Sequence, residues 1–153
     1  MRKILLSIIF LISFTASAQS NELYFQPNVG QINVTENEET PIAFCELKTA
    51  TVYLNNTGLR VVLTNPNDIP KIHKSFHYRG MDTSFTIKKH VIDINFVQSI
   101  IPSKIDFLQQ SPYYLNYFLG NNPNNWKTKI YPSKTIKLTN IYANIDFLIY
   151  ATD

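Results

Sequence analysis

Turn-forming residues recur so closely in this chain that little room is left for anything but short strands. They stand at Pro27-Asn28-Val29-Gly30, Asn55-Asn56-Thr57-Gly58, Asn65-Pro66-Asn67-Asp68-Ile69-Pro70, Gly80-Met81-Asp82, Ile101-Pro102-Ser103 and Gly120-Asn121-Asn122-Pro123. Proline fixes φ and removes a donor, glycine reaches φ > 0 without strain, and asparagine side chains imitate a backbone turn. The segments between these breaks alternate with period two. Residues 42–46, 51–54, 59–64, 90–97, 114–119, 128–131, 135–139 and 145–150 read as strands. The pair 51–54 and 59–64 reads as a hairpin across Asn55-Asn56-Thr57-Gly58. In 90–97, Ile92, Ile94 and Phe96 share one face, and Asp93 and Asn95 share the other, which is expected to meet water or a partner. Residues 72–79 alternate weakly, and 105–110 suits a short helix ending before Pro112. The expectation is an all-β domain, antiparallel and sandwich-like.

The first residues do not belong to that domain. Arg2 and Lys3 precede the apolar run Ile4-Leu5-Leu6-Ser7-Ile8-Ile9-Phe10-Leu11-Ile12, which is too short to span a bilayer. Ala16-Ser17-Ala18 fits a signal peptidase site. A cleavable signal peptide is therefore expected over 1–18, and a single β-rich domain over 19–153. The chain carries 14 basic and 11 acidic residues for a formal charge of +3, and two of the basic residues, Arg2 and Lys3, lie in the leader. The exported part is nearly neutral, which argues against a nucleic-acid binder that works by phosphate neutralisation. A single cysteine, Cys45, excludes an intrachain disulfide. Its neighbours Ile42-Ala43-Phe44 make it a small buried apolar residue rather than a nucleophile.

Chemistry-bearing residues are sparse. His73 and His77 could share a metal on a helix, but on a strand their spacing is roughly 13 Å. Asp93 and Asp146 each sit among apolar strand residues. They could act as an acid–base pair, but more often such groups accept hydrogen bonds or face solvent. Lys127, Lys129, Lys134 and Lys137 could bind acidic glycans, though lysines of this kind more often protect an exposed strand. No cofactor and no metal is expected. The densest signal is Asn116-Tyr117-Phe118-Leu119-Gly120-Asn121-Asn122-Pro123-Asn124-Asn125-Trp126, a strand end, a tight turn and the only tryptophan. There the expectation is an aromatic plug whose indole N–H reaches a carbonyl. The alternative is a platform for sugar rings or peptide made by Tyr114, Tyr117 and Trp126, with Asn121 and Asn122 as its hydrogen-bonding rim.

Taken in order, several pieces resemble a known family. They are Phe25-x-x-Asn28-x-Gly30-Gln31, Val52-Tyr53-Leu54 with Gly58-Leu59, and His90 with Asn95-Phe96-Val97. They continue with the Asn116–Trp126 block and with Asn140-Ile141-Tyr142-x-x-Ile145-Asp146-x-x-x-Tyr150. The chain resembles the uncharacterised β-rich N-terminal domain of large exported proteins of gliding-type Gram-negative bacteria. In those proteins the domain stands ahead of SBBP-type β-propeller repeats, PKD-like modules and C-terminal sorting domains. The resemblance implies a secreted or cell-surface destination through the type IX route and no defined activity. It also implies that the domain runs on past Asp153 into a further strand, so an unpaired strand edge is expected at that end. The function expected is a non-catalytic structural or interaction module, whose partners are downstream domains of the same parent or other surface proteins. Glycan binding is the alternative and hydrolysis a more distant one.

Overall fold

The computed structural model of the chain describes residues 22–32, 34, 38–71 and 85–152. The expected leader, the weak alternation at 72–79, the turn expected at 80–82 and the His73/His77 pair lie outside the described residues.

Among the described residues ten strands follow in order. They are β1 (Gln26–Pro27), β2 (Ala43–Glu46), β3 (Ala50–Leu54), β4 (Gly58–Thr64), β5 (Lys89–Asn95), β6 (Lys104–Gln110), β7 (Leu115–Tyr117), β8 (Lys127–Ile130), β9 (Ser133–Tyr142) and β10 (Ile145–Tyr150). A five-stranded sheet runs β1-β2-β3-β4-β5, a three-stranded sheet runs β10-β9-β6, and β7 and β8 form a separate ribbon. Every pairing is antiparallel. The domain is thus all-β and sandwich-like. Residues 105–110, which suited a short helix on sequence, belong to a strand. Ile105 and Phe107 point inward with period two, and the peptide groups that β6 turns toward β9 find partners there that an isolated helical turn would lack.

The hairpin β3–β4 forms as its turn residues dictate. Asn55 N–H donates to Gly58 O at 2.9 Å, and the Glu39 carboxylate accepts from Asn56 N–H at 2.7 Å and from the Thr57 hydroxyl at 2.5 Å. Gly58 is required for a steric reason. A Cβ there would stand 2.1 Å from the carbonyl oxygen of Ile94 on the neighbouring strand.

The core joins the two larger sheets. Ala43, Cys45 and Leu54 come from one, Ile136, Leu138 and Ile141 from the other, and Phe25 from the lead-in to β1. Two linkages stitch the sheets at opposite ends of β9. Phe25 and Ser133 exchange backbone hydrogen bonds at 2.8 Å, while Ile100 N–H donates to Ile141 O at 2.8 Å. Burial is uneven across the five-stranded sheet. Ala43, Leu54, Leu59 and Ile94 lie opposite one another in one row, yet Ala43 and Leu54 are buried, Leu59 is half-buried and Ile94 is exposed. The next row, Cys45, Val52, Val61 and Ile92, follows the same gradient. β5 therefore extends past the cover of the second sheet. Its face returns to the core only at Phe96, whose ring centroid is 4.7 Å from that of Phe147 on β10.

Candidate functional site

Asn28 Nδ2 donates to Pro41 O at 2.9 Å, and its Oδ1 accepts from Gly30 N–H and Ile32 N–H, both at 3.1 Å. Gln31 Nε2 donates to Pro27 O at 2.6 Å. Gly30 takes φ 100°, open only to glycine without strain. At the other end of the fold Asn140 adopts φ 57° within β9, and its N–H donates to Asp146 Oδ1 at 3.0 Å. Asn tolerates this left-handed conformation. The second Asp146 oxygen pairs with Lys137 at 2.7 Å. Lys137 and the Asn140 N–H hold the Asp146 carboxyl below the usual range.

Asp93 is not brought beside Asp146. The two lie on β5 and β10, in different sheets. Asp93 is gripped by Arg60, Nε to Oδ1 at 2.7 Å and Nη2 to Oδ2 at 3.2 Å, and Arg60 also reaches Glu38 at 2.8 Å. That bidentate grip lowers the Asp93 pKa. The other two histidines lie outside the described residues, and His90 stands exposed on β5. Among the described residues no group of three or more His, Cys, Asp or Glu side chains converges. Cys45 is buried in the core, and burial pushes its thiol pKa up.

The aromatic segment builds the β7–β8 ribbon. Asn122 caps a 3-10 turn over Pro123–Asn125, its side chain accepting from Asn124 N–H at 3.0 Å. Gly120 takes φ 65°, and its carbonyl accepts the Trp126 indole N–H at 3.2 Å. The indole bond matches the sequence expectation, but the ring is not a plug. Trp126 is 41% exposed and meets Phe118 edge-on, with centroids 5.2 Å apart and planes at 83°. The ribbon pairs with neither larger sheet, and the side chain it buries is Ile130 of β8 rather than Trp126.

The five residues proposed as a platform are distributed as follows. Tyr114 meets Tyr131 edge-on at 5.9 Å. Tyr117 turns inward and its hydroxyl donates to Gln26 Oε1. Burial, and then the nearby Glu46 carboxylate, raise the Tyr117 pKa. Trp126 pairs with Phe118, Asn122 serves the turn, and Asn121 is exposed beside it. The rings thus form two edge-on pairs and one inward tyrosine rather than a single flat surface.

Sequence reasoning did not single out the groove next to this ribbon. A space of about 620 Å³ is bounded by Glu22, Tyr24, Gln26, Glu46, Tyr113 and Leu115 among others. Tyr113 is 79% exposed at its lip. Tyr24 donates to Glu22 at 2.6 Å, and Lys134 lies 3.1 Å from the same carboxylate and 5.6 Å above the Tyr24 ring. The Tyr24 hydrogen bond and then Lys134 lower the Glu22 pKa. Phenol rings beside carboxylate and amide oxygens can stack on an apolar ring face and hydrogen-bond its hydroxyls or amides. The groove joins chain segments remote in sequence, so no local pattern marks it.

Fold and site together define an antiparallel β-sandwich-like domain with aromatic residues displayed on a side ribbon. The chain belongs to the family described as "Domain of unknown function (DUF7948)", whose model matches residues 25–153. No curated protein matches it, and no solved structure does.

Proposed function

We propose that the chain is a non-catalytic structural or interaction module of a secreted or cell-surface bacterial protein. One observation carries this reading: the polar side chains of the motifs are directed at the chain's own backbone. Asn28, Gln31, Asn122, Trp126 and Asp146 each hold a turn, a bulge or a strand end. A motif so built serves a shape. The exposed rings of Tyr113, Tyr114, Phe118 and Trp126 supply the contact surface. Their partners are neighbouring domains of the same parent or other surface proteins. The likeness to domains that precede SBBP-type propeller repeats, PKD-like modules and type IX sorting domains supports this placement, and the leader-like residues 1–18 support export.

A glycan ligand is the second reading, favoured by the groove between Tyr24, Tyr113 and Glu46. Two experiments separate these. A photo-reactive residue at Phe118 is expected to give protein adducts on the cell surface far more often than one at exposed Lys48. Equal yields at the two positions would sink the interaction reading. On a glycan array, binding that Tyr113→Ala and Trp126→Ala abolish would establish the second reading, and no binding would remove it. Turnover of any substrate in a broad hydrolase panel, with or without chelator, would overturn the non-catalytic assignment.

A further inference from the structure

The outer edge of β5 carries a pairing code. Asn65 N–H donates to Lys88 O at 3.0 Å, and Phe96 N–H donates to Thr57 O at 2.8 Å. Peptide groups alternate sides along a strand. Those of His90, Ile92 and Ile94 therefore face β4, and those of Lys89, Val91, Asp93 and Asn95 face outward. Among the described residues β4 is the only strand that pairs with β5. All seven residues of β5 are exposed, although the strand is not the short, heavily charged kind that proteins use to blunt an edge.

We propose that this edge pairs antiparallel with β5 of a second copy of the chain, about a two-fold axis at Val91. In that register Val91 faces its own counterpart and Lys89 of each copy faces Asp93 of the other. These three residue pairs all use outward peptide groups, which gives about six backbone hydrogen bonds across the seam. Charge selects the register. Lys89 has no ion pair among the described residues, while Asp93 is 44% exposed at its side chain and its Arg60 grip leaves it room to accept more. An axis at Asp93 would oppose two carboxylates, and an axis at Ile92 would set Asp93 against Val91. Because a two-fold axis normal to the sheet keeps its faces, the exposed Ile92 and Ile94 of both copies form one apolar floor, continuous with the core through Phe96. The result is one continuous sheet shared by an isologous dimer.

Sedimentation of the full chain over a range of concentrations tests this. A concentration-dependent dimer is expected, and at least tenfold weaker association in Lys89→Glu and in Val91→Pro. Proline at 91 removes only an N–H that has no strand partner among the described residues, so the melting temperature is expected to hold within a few degrees. Under mild oxidation Val91→Cys is expected to form a covalent dimer, since opposed Cα atoms stand about 5.5 Å apart in such a pair. Ile94→Cys is not, because its counterpart would lie about 20 Å away. This comparison decides the matter if the proline variant misfolds. A wild-type chain that stays monomeric, as it would if the edge takes a strand from another polypeptide, overturns the proposal. So does a dimer that survives Val91→Pro, or cross-linking at 94 that equals that at 91.

Discussion

Leu54 is fully buried between the two larger sheets, whereas Leu63, on the strand beside it, is exposed. Leu54→Ala is expected to cost about 2–5 kcal/mol by denaturant unfolding, and Leu63→Ala less than about 1 kcal/mol. Both positions alternate correctly in the sequence, so period two alone could not tell them apart. Asp68 makes the same point for charge. It reads as a loop residue, yet it is buried, accepting from Lys71 at 2.5 Å and from Lys88 N–H at 2.9 Å. Those bonds lower its pKa, as Tyr24 and Lys134 lower that of Glu22, and as Arg60 and Lys137 lower those of Asp93 and Asp146. A carboxyl whose pKa is depressed by folding adds stability above its unfolded value and loses it as pH falls through the folded value. The melting temperature is therefore expected to stay level with respect to these groups above about pH 5 and to fall below about pH 4. Asp68→Asn should flatten that acid limb, and an unchanged slope would rule out Asp68 as a contributor.

The hairpin of β3 and β4 was legible because Asn55-Asn56-Thr57-Gly58 lies between two alternating runs. What the turn did not reveal is that Gly58 also serves the next strand, by leaving space for the Ile94 carbonyl. Gly58→Ala is expected to destabilise the fold by about 3 kcal/mol, since backbone rather than a movable side chain must give way. Gly120 offers the control. It needs its left-handed φ, but nothing lies within 4 Å of an added Cβ. Gly120→Ala should cost only about 1–2 kcal/mol, confined to the ribbon. Comparing the two variants by thermal melts checks the ordering. Residues 105–110 show the opposite limit of legibility, because a short apolar run suits a helix or a strand until a neighbour appears. The neighbour is β9, and it lies more than twenty residues downstream of β6.

Across the whole molecule, one apolar cluster unites the five-stranded and three-stranded sheets, and the β7–β8 ribbon stands outside it. Hydrogen exchange should therefore be slowest in β2, β3 and β9 and fastest in the ribbon and in β5. Uniform protection across all strands would contradict this order. The class of the fold, the strand positions and the turns followed from local chemistry: dense Pro, Gly and Asn, period-two alternation, and residues such as Asn28 and Asn122 that bond to backbone nearby. Those terms act over a few residues, so a linear reading can recover them. Which strands sit at an edge, which half of a face is covered, and that Tyr24, Glu46 and Tyr113 bound one groove were settled by contacts between segments remote in the chain. Burial and groove geometry are properties of how sheets stack, and alternation along one strand says only that it has two sides.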